Sequence, residues 1–282
     1  LDEFFPVAQR NYQEMESMLG ISIWEKRPIL RLLGSPEEIN DWSSRCAHAD
    51  YAQHLGERSD AGDWTPFLKP GFHFGIIRQA ARVNFPKLLA SFRDQILAAD
   101  RLITTPFDYQ SADQYLKEYD RVVFCEGYRA LHNPFFPDLP WQLAKGEALI
   151  IRFKDPLAVK IVDMLKKTSL IAPLGDGLFW AGGSYQWHYP DLEPSAGERD
   201  YILQRLGEMV AAPFDIVDHV AGVRPSVKDR RPFLGPSKQH PRIYIYNGLG
   251  TKGALLAPFW AEHLAAHLLE GKAIEKEVNV IR

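Results

Sequence analysis

Apolar positions recurring every three or four residues predict helices in several stretches of the chain. Phe4, Ala8, Tyr12, Met15 and Leu19 mark the first, and Gly20 stands where a C-terminal cap belongs. Ser35-Pro-Glu-Glu38 opens the second, which runs to about His48; Ser35 can cap it, Pro36 suits its first turn and Glu38 completes a capping box. Asn84 caps a helix reaching Ala98, with Pro86 in its first turn. Ser195 and Glu198 form a second capping box, for a helix reaching Met209. The last helix, Ala254 to Leu269, carries Leu256, Trp260, Leu264 and Leu268 on one face.

Strand patterns fill much of the rest. Ile21 to Leu33 reads as two short strands about Lys26-Arg27-Pro28. Further strands are expected at Phe72 to Ile77, Arg101 to Thr105, Asp120 to Cys125, Trp141 to Phe153 and Lys160 to Ile171. Three more are expected at Phe179 to Tyr185, Asp215 to Val223 and Ile243 to Tyr246, the first of them weakened or bulged at Gly182 and Gly183. Asp60 to Pro70 is rich in turn residues, and Arg129 to Pro140 is a loop with three prolines. Strands with few helices between them predict a mixed or antiparallel sheet, and an α+β fold derived from α/β architecture.

The stretch Arg242-Ile-Tyr-Ile-Tyr-Asn-Gly-Leu-Gly-Thr-Lys-Gly253 stands out. A strand runs into a turn in which Gly248, Gly250 and Gly253 hold G-x-G-x-x-G spacing, and a helix follows. That geometry aims backbone N–H groups and a helix dipole at an anion. A dinucleotide fingerprint of this spacing belongs early in a βαβ unit, with an acidic residue after the next strand. Here only Gly271 to Arg282 remain beyond the helix, and Glu270 closes that helix, so a nicotinamide dehydrogenase reading fails on position. Structural glycines in an ordinary strand–turn–helix stay as an alternative.

Composition is that of a globular chain: 282 residues, 46% hydrophobic and 24% charged, enough for a sizeable core in one or two domains. A net charge of −3 gives no electrostatic case for nucleic acid or an anionic membrane. No apolar run is long enough for a transmembrane helix. Cys46 and Cys125 are the only cysteines, which argues against a disulfide framework and for a cytoplasmic location. Cys125 sits in an apolar strand pattern and is expected to be a buried thiol.

Several segments together resemble the FAD-dependent oxidoreductases of the D-amino-acid oxidase and glycine oxidase type. Gly222-Val-Arg-Pro225 resembles the family's G-[VL]-R-P element, and Asn247-Gly-Leu-Gly-Thr-Lys-Gly253 its glycine turn before the last helix. Asp229-Arg-Arg-Pro-Phe-Leu-Gly235 fits between them. Arg121-Val-Val-Phe-Cys-Glu-Gly127 is similar to the strand that ends in glycine beside the cofactor, and Leu143 to Ile151 to the "P-x-x-G-[EQ]" strand. The resemblance covers most of the chain from about Gly71 onward. It implies a mixed-sheet substrate domain, residues 1–84 and 128–214, and the C-terminal remainder of an FAD-binding domain, residues 85–127 and 215–282. In the family the fingerprint for the FAD pyrophosphate lies in an N-terminal strand and helix; this sequence opens on Leu1 inside a helical pattern, and a truncated chain lacking that segment is the expectation.

The implied activity is oxidation of an amino acid or related amine, with hydride transfer to flavin. Whether the sequence in hand turns over by itself stays open, and a catalytically inactive, flavin-free scaffold or binding module is the rival. FAD would lie on Gly127, Gly222, Val223, Arg224, Pro225 and the turn Gly248, Leu249, Gly250, Thr251, Lys252, Gly253. Arg224 matches the arginine that grips the substrate carboxylate; an ion pair with Asp229 or Asp218 is the alternative. Lys252, beside a helix N-terminus, is a candidate for stabilising anionic reduced flavin, or else a solvated turn lysine. Some amino-acid oxidases cover the substrate with a tyrosine where this chain has Thr168-Ser-Leu-Ile-Ala-Pro173. Tyr185, Trp187 and His188 are candidates for that aromatic or polar role, with sheet-edge packing as the alternative.

No metal site is expected. His263 and His267 lie one helical turn apart, but the order is not H-E-x-x-H and no third ligand is indicated. His219 reads as a satisfied core histidine.

Overall fold

Side-chain caps form where the sequence placed them. Ser35 Oγ accepts from Glu38 N at 3.2 Å, and Asn84 Oδ1 accepts from Lys87 N at 3.2 Å. Gly20 closes the first helix with φ 65°. The computed structural model describes residues 2–282. In chain order they form α1 (Phe4–Leu19), β1 (Trp24–Lys26), β2 (Ile29–Leu33), α2 (Pro36–Ala47), α3 (Ala49–Ala52), β3 (Leu55–Arg58), β4 (His73–Ile77), β5 (Ala81–Val83), α4 (Phe85–Ala98) and α5 (Ala112–Glu118). There follow β6 (Val122–Phe124), β7 (Ala144–Phe153), β8 (Met164–Lys166), β9 (Leu170–Gly175), β10 (Leu178–Gly182), α6 (Ala196–Gly207), β11 (Phe214–Arg224), β12 (Phe233–Pro236), β13 (Ile243–Asn247) and α7 (Gly253–Glu270).

The chain divides into two compact units: a sheet unit, Glu25–Arg82 with Lys145–Gly222, and a terminal unit, Leu1–Trp24, Val83–Ala144 and Val223–Arg282. The sheet unit holds a mixed eight-stranded sheet in the order β11-β7-β10-β9-β8-β2-β4-β3, as the strand-rich pattern implied. The β2–β8 pair is parallel, with Leu30 opposite Leu165; β2–β4, β8–β9, β9–β10 and β10–β7 are antiparallel. One face of this sheet packs Leu30, Leu32, Leu149, Ile151 and Phe179 against Ile202 and Leu206 of α6, with Trp64 and Phe67 alongside. Each large side chain buried there stabilises by about 1.5–3 kcal/mol. Trp42 of α2 lies over β4 at Gly75, where an added Cβ would come within 2.3 Å of the indole.

The terminal unit has a three-stranded sheet in the order β12-β13-β6, with β13 parallel to β6 and antiparallel to β12. Helix α7 packs on one side through Trp260 and Leu264, and Phe124, Phe136, Phe233 and Ile245 form the other core. Helix α1 is tied to α7: Tyr12 Oη donates to Ala254 O at 2.9 Å, and Arg10 reaches Glu262 at 2.6 Å.

These contacts divide the chain differently from the expected ranges. Residues 1–24 and 128–144 pack in the terminal unit, because α1 lies on α7 and Trp141 bridges to Val227. Residues 215–222 belong with the sheet unit, where β11 forms one edge of the large sheet.

Local expectations also shift. Residues 101–105 form no strand; the residues that build structure there are 112–118, as α5. Lys160 to Ile171 is not one strand but β8 and the start of β9, broken by the turn through Lys167 and Ser169. Strand β10 stops at Gly182 and does not reach Tyr185. At the second capping box Ser195 Oγ does accept from Glu198 N, but Ser195 N donates to Glu147 Oε2 at 2.9 Å, so Glu147 takes the reciprocal bond. Cys125 lies one residue past β6 and is exposed, not buried. Among the described residues no helix is long and apolar enough to cross a membrane.

Candidate functional site

In the terminal unit three segments distant in sequence converge around Asn247. This buried side chain donates from Nδ2 to Gly127 O at 2.9 Å and accepts at Oδ1 from Gly248 N at 2.8 Å. It thereby joins the corner after β6 to the glycine turn after β13. The third segment is Arg224-Pro225-Ser226, whose Pro225 O accepts from Gly250 N at 3.3 Å. Gly127, Arg224, Pro225 and the turn from Gly248 to Gly253 are thus held in one unit by named bonds.

Glycine is required at two points of that turn. Gly248 has φ 79° and Gly250 φ 56°. An added Cβ at Gly248 would meet Val227 Cγ2 at 2.8 Å, and one at Gly250 would touch Ser226 Oγ at 3.4 Å. Gly253 differs: its φ of −52° is ordinary helix, and a Cβ there meets only Leu249 at 3.7 Å. The third glycine of the spacing is therefore not demanded by the local backbone.

Helix α7 begins at Gly253 with no side-chain cap on its first turn, which leaves N–H groups for an outside acceptor. Lys252 is exposed at its N-cap position, next to exposed Thr251. Ser226 Oγ is buried and has no hydrogen-bond partner among the described residues. Gly127, at φ 60°, would place a Cβ in open space. An unmet hydroxyl, free helix-end donors and an open glycine corner together suit a flat polar group with hydrogen-bond acceptors along its edge.

Arg224 ends β11 and is half-buried. The chain crosses from the sheet unit to the terminal unit at Gly222–Val223, so Gly222 is the last residue of one and Val223 the first of the other. Asp229 is engaged by Arg282 at 2.9 Å and Asp218 Oδ1 accepts from His219 N at 2.8 Å, while Arg224 is itself partnered within the protein.

Tyr185, Trp187 and His188 lie in the sheet unit, in the exposed segment after β10. The Tyr185 and Trp187 rings meet edge to face with centroids 5.3 Å apart. The segment is anchored by a network that sequence reasoning missed. Glu147, fully buried, accepts from Ser195 N at 2.9 Å and Ser195 Oγ at 3.1 Å. Lys145 Nζ lies 3.0 Å from Glu147 Oε1 and His219 Nε2 lies 2.9 Å from Glu147 Oε2. Lys145 also donates to Glu193 O, and Ser184 Oγ accepts from Glu147 N at 3.0 Å. Burial pushes the Glu147 carboxyl up, but the Ser195 and Lys145 donors outweigh it and hold the group below its usual value. His219 Nε2, though near that carboxylate, is buried and makes no well-formed hydrogen bond among the described residues, so the satisfied core histidine expected from sequence is not what the structure shows. His263 and His267 are occupied too: Glu275 N donates to His263 Nε2 at 3.1 Å, and His267 Nδ1 lies 2.7 Å from Lys272 O. The described residues hold no cluster of metal-binding side chains.

The family model described as "FAD dependent oxidoreductase", DAO, matches residues 3–267. Glycine oxidase of Pseudomonas putida is 27% identical over 221 residues, 71% of this chain and 59% of that protein, so the chain spans less than two thirds of this relative. Among solved structures, glycine oxidase from Geobacillus kaustophilus superposes with a TM-score of 0.72 at 19% identity, covering 96% of this chain and 78% of the other. Iminodiacetate oxidase from Chelativorans sp. BNC1 gives 0.73 at 19% identity, covering 95% and 80%. The match along nearly the whole chain, the shared fold and the bonded meeting of Gly127, Pro225 and the Asn247 turn lead to one assignment: the chain belongs to the DAO family of FAD-dependent oxidoreductases, and FAD is the cofactor that family implies.

Proposed function

We propose that the protein oxidises an amino acid or a related amine, with FAD as hydride acceptor. The observation that carries this reading is the tie between Arg224-Pro225-Ser226 and the glycine turn, Gly250 N to Pro225 O at 3.3 Å. It sets a guanidinium-bearing strand end beside a donor-rich turn in one rigid corner. When bound, FAD supplies the redox chemistry.

The chain's own residues bind and orient. Gly127 would leave room for a ring to approach the backbone, and the Ser226 hydroxyl and the uncapped start of α7 would supply donors to it. The unmet Ser226 hydroxyl gains a partner when such a ring is present. Lys252 and the uncapped start of α7 create positive potential, which favours negative charge on a neighbouring ring. Arg224 grips a substrate carboxylate through two parallel N–H bonds and fixes the direction of the adjacent C–H bond. Within the sheet unit, Tyr185, Trp187 and His188 are the residues we propose for substrate binding.

Rapid anaerobic mixing of the flavin-loaded protein with a panel of amino acids and secondary amines tests this reading. Bleaching of the flavin bands by at least one amine is expected. In Arg224→Ala the flavin stays bound, while bleaching slows by about a hundredfold, the loss of a charged two-point contact. Unchanged bleaching in that variant removes Arg224 from the role. A protein that takes up no FAD is instead a binding module with this fold.

A further inference from the structure

A cavity of about 170 Å³ lies in the terminal unit, lined by residues 135–140, 236–239 and 280–282. It shares no residue with Gly127, with Arg224 to Ser226 or with the turn from Asn247 to Gly253. A space of this size holds a group as large as a benzene ring.

Its walls are fixed by bonds within the protein. Ser237 Oγ donates to Phe135 O at 3.0 Å and accepts from Gln239 N at 3.3 Å. Ser237 N donates to Ile243 O at 2.7 Å, and Val280 N to Leu234 O at 2.8 Å. The cavity is therefore formed before any ligand arrives, as small-molecule sites usually are.

The lining is apolar over much of its surface. Phe136 and Val280 are buried, Leu139 is half-buried, and Pro137, Pro140 and Pro236 have no N–H to donate. Part of the polar lining is already committed. The Ser237 hydroxyl is used as donor and acceptor, and the Arg282 guanidinium is bonded to Asp229 and to three backbone carbonyls. Asp138 and Lys238 remain. Among the described residues neither side chain makes a hydrogen bond or an ion pair, with the other or with any neighbour. They stand on different walls, Asp138 on the loop before β7 and Lys238 on the turn between β12 and β13. One cavity thus offers an acceptor carboxylate and a donor ammonium beside an apolar surface. A ligand with a single charge meets only one of them, and a zwitterion meets both.

We propose that this cavity binds an apolar α-amino acid as its zwitterion, with the carboxylate on Lys238, the ammonium on Asp138 and the side chain against Phe136, Leu139 and Val280. The site is separate from the flavin corner and does not rest on the oxidase reading. Calorimetric titration of the full chain carrying Arg224→Ala tests it without the carboxylate contact proposed there. Leucine is expected to bind, and isocaproate, which lacks the ammonium, and leucinamide, which lacks the carboxylate, about tenfold more weakly each. Lys238→Met should weaken leucine about tenfold and leave leucinamide unchanged, and Asp138→Asn should weaken leucine and leave isocaproate unchanged. Both side chains are exposed and hold no protein partner, so neither substitution should move the melting temperature. Leucine should also protect amides in 135–139 and 237–239 from hydrogen exchange. No leucine binding, equal binding of the three ligands, or leucine binding that ignores both substitutions overturns the proposal.

Discussion

Glu147 is the strongest single test of how the sheet unit is held together. Its carboxylate is fully buried and serves Lys145, Ser195 twice and His219, all within 3.1 Å. Glu147→Gln keeps the shape but removes the charge. Lys145, itself buried, then keeps only Glu193 O and the Asp191 carboxylate 3.8 Å away. Breaking one side of a buried pair costs about 3–5 kcal/mol, chiefly because the remaining charge is stranded. Asp191 offsets part of this, so we expect about 3 kcal/mol from urea unfolding of Glu147→Gln. Lys145→Met in the same background removes the stranded ammonium and should recover at least about 1 kcal/mol, a coupling readable in a double-mutant cycle. The pH sense follows from the direction of the shift. Glu147 is held below its usual value of 4.5, so its contribution is present above that pH in the wild type and is lost as pH falls through the lower folded value. A Glu147→Gln penalty under about 1 kcal/mol, or strict additivity with Lys145→Met, would refute the network as a structural anchor.

Other substitutions probe the terminal unit and the sheet. Asn247→Ala removes bonds to both Gly127 O and Gly248 N, and should destabilise by roughly 2–4 kcal/mol in denaturant unfolding while weakening FAD retention. Gly250→Val forces a branched side chain into φ 56° against Ser226; FAD affinity measured by flavin fluorescence should fall, with a smaller loss of stability. Gly75→Ala drives a methyl into the Trp42 indole and should lower stability by about 1–3 kcal/mol, read from the thermal midpoint.

The elements that could be read from sequence were those with local causes. Ser35, Asn84 and Ser195 cap helices because a short side-chain oxygen meets an N–H three residues on, and three or four residues suffice to show it. Gly248 and Gly250 were legible as a turn, and both take positive φ. Arg101 to Thr105 misled because its residues have strand propensity but find no partner strand, which is a property of distant segments. The Lys160 to Ile171 pattern concealed a reversal because Leu165 and Ile171 face the same core from two antiparallel strands. At the site, Asn247 carried a signal that was passed over: an Asn directly before Gly favours turns by bonding nearby backbone. Its second bond, to Gly127 120 residues away, had no local trace. Glu147 was equally hidden, since Ser195 and His219 reach it only through the fold.

The account's central claim is that the Gly127 corner, the Arg224 to Ser226 segment and the Gly248 to Gly253 turn face one flavin. Hydrogen–deuterium exchange with and without FAD tests it directly. FAD should protect amides at 127–128, 223–226 and 248–254 together, with little change in the strands of the large sheet remote from them. Failure to take up FAD, or FAD uptake with protection confined to other segments, would contradict it.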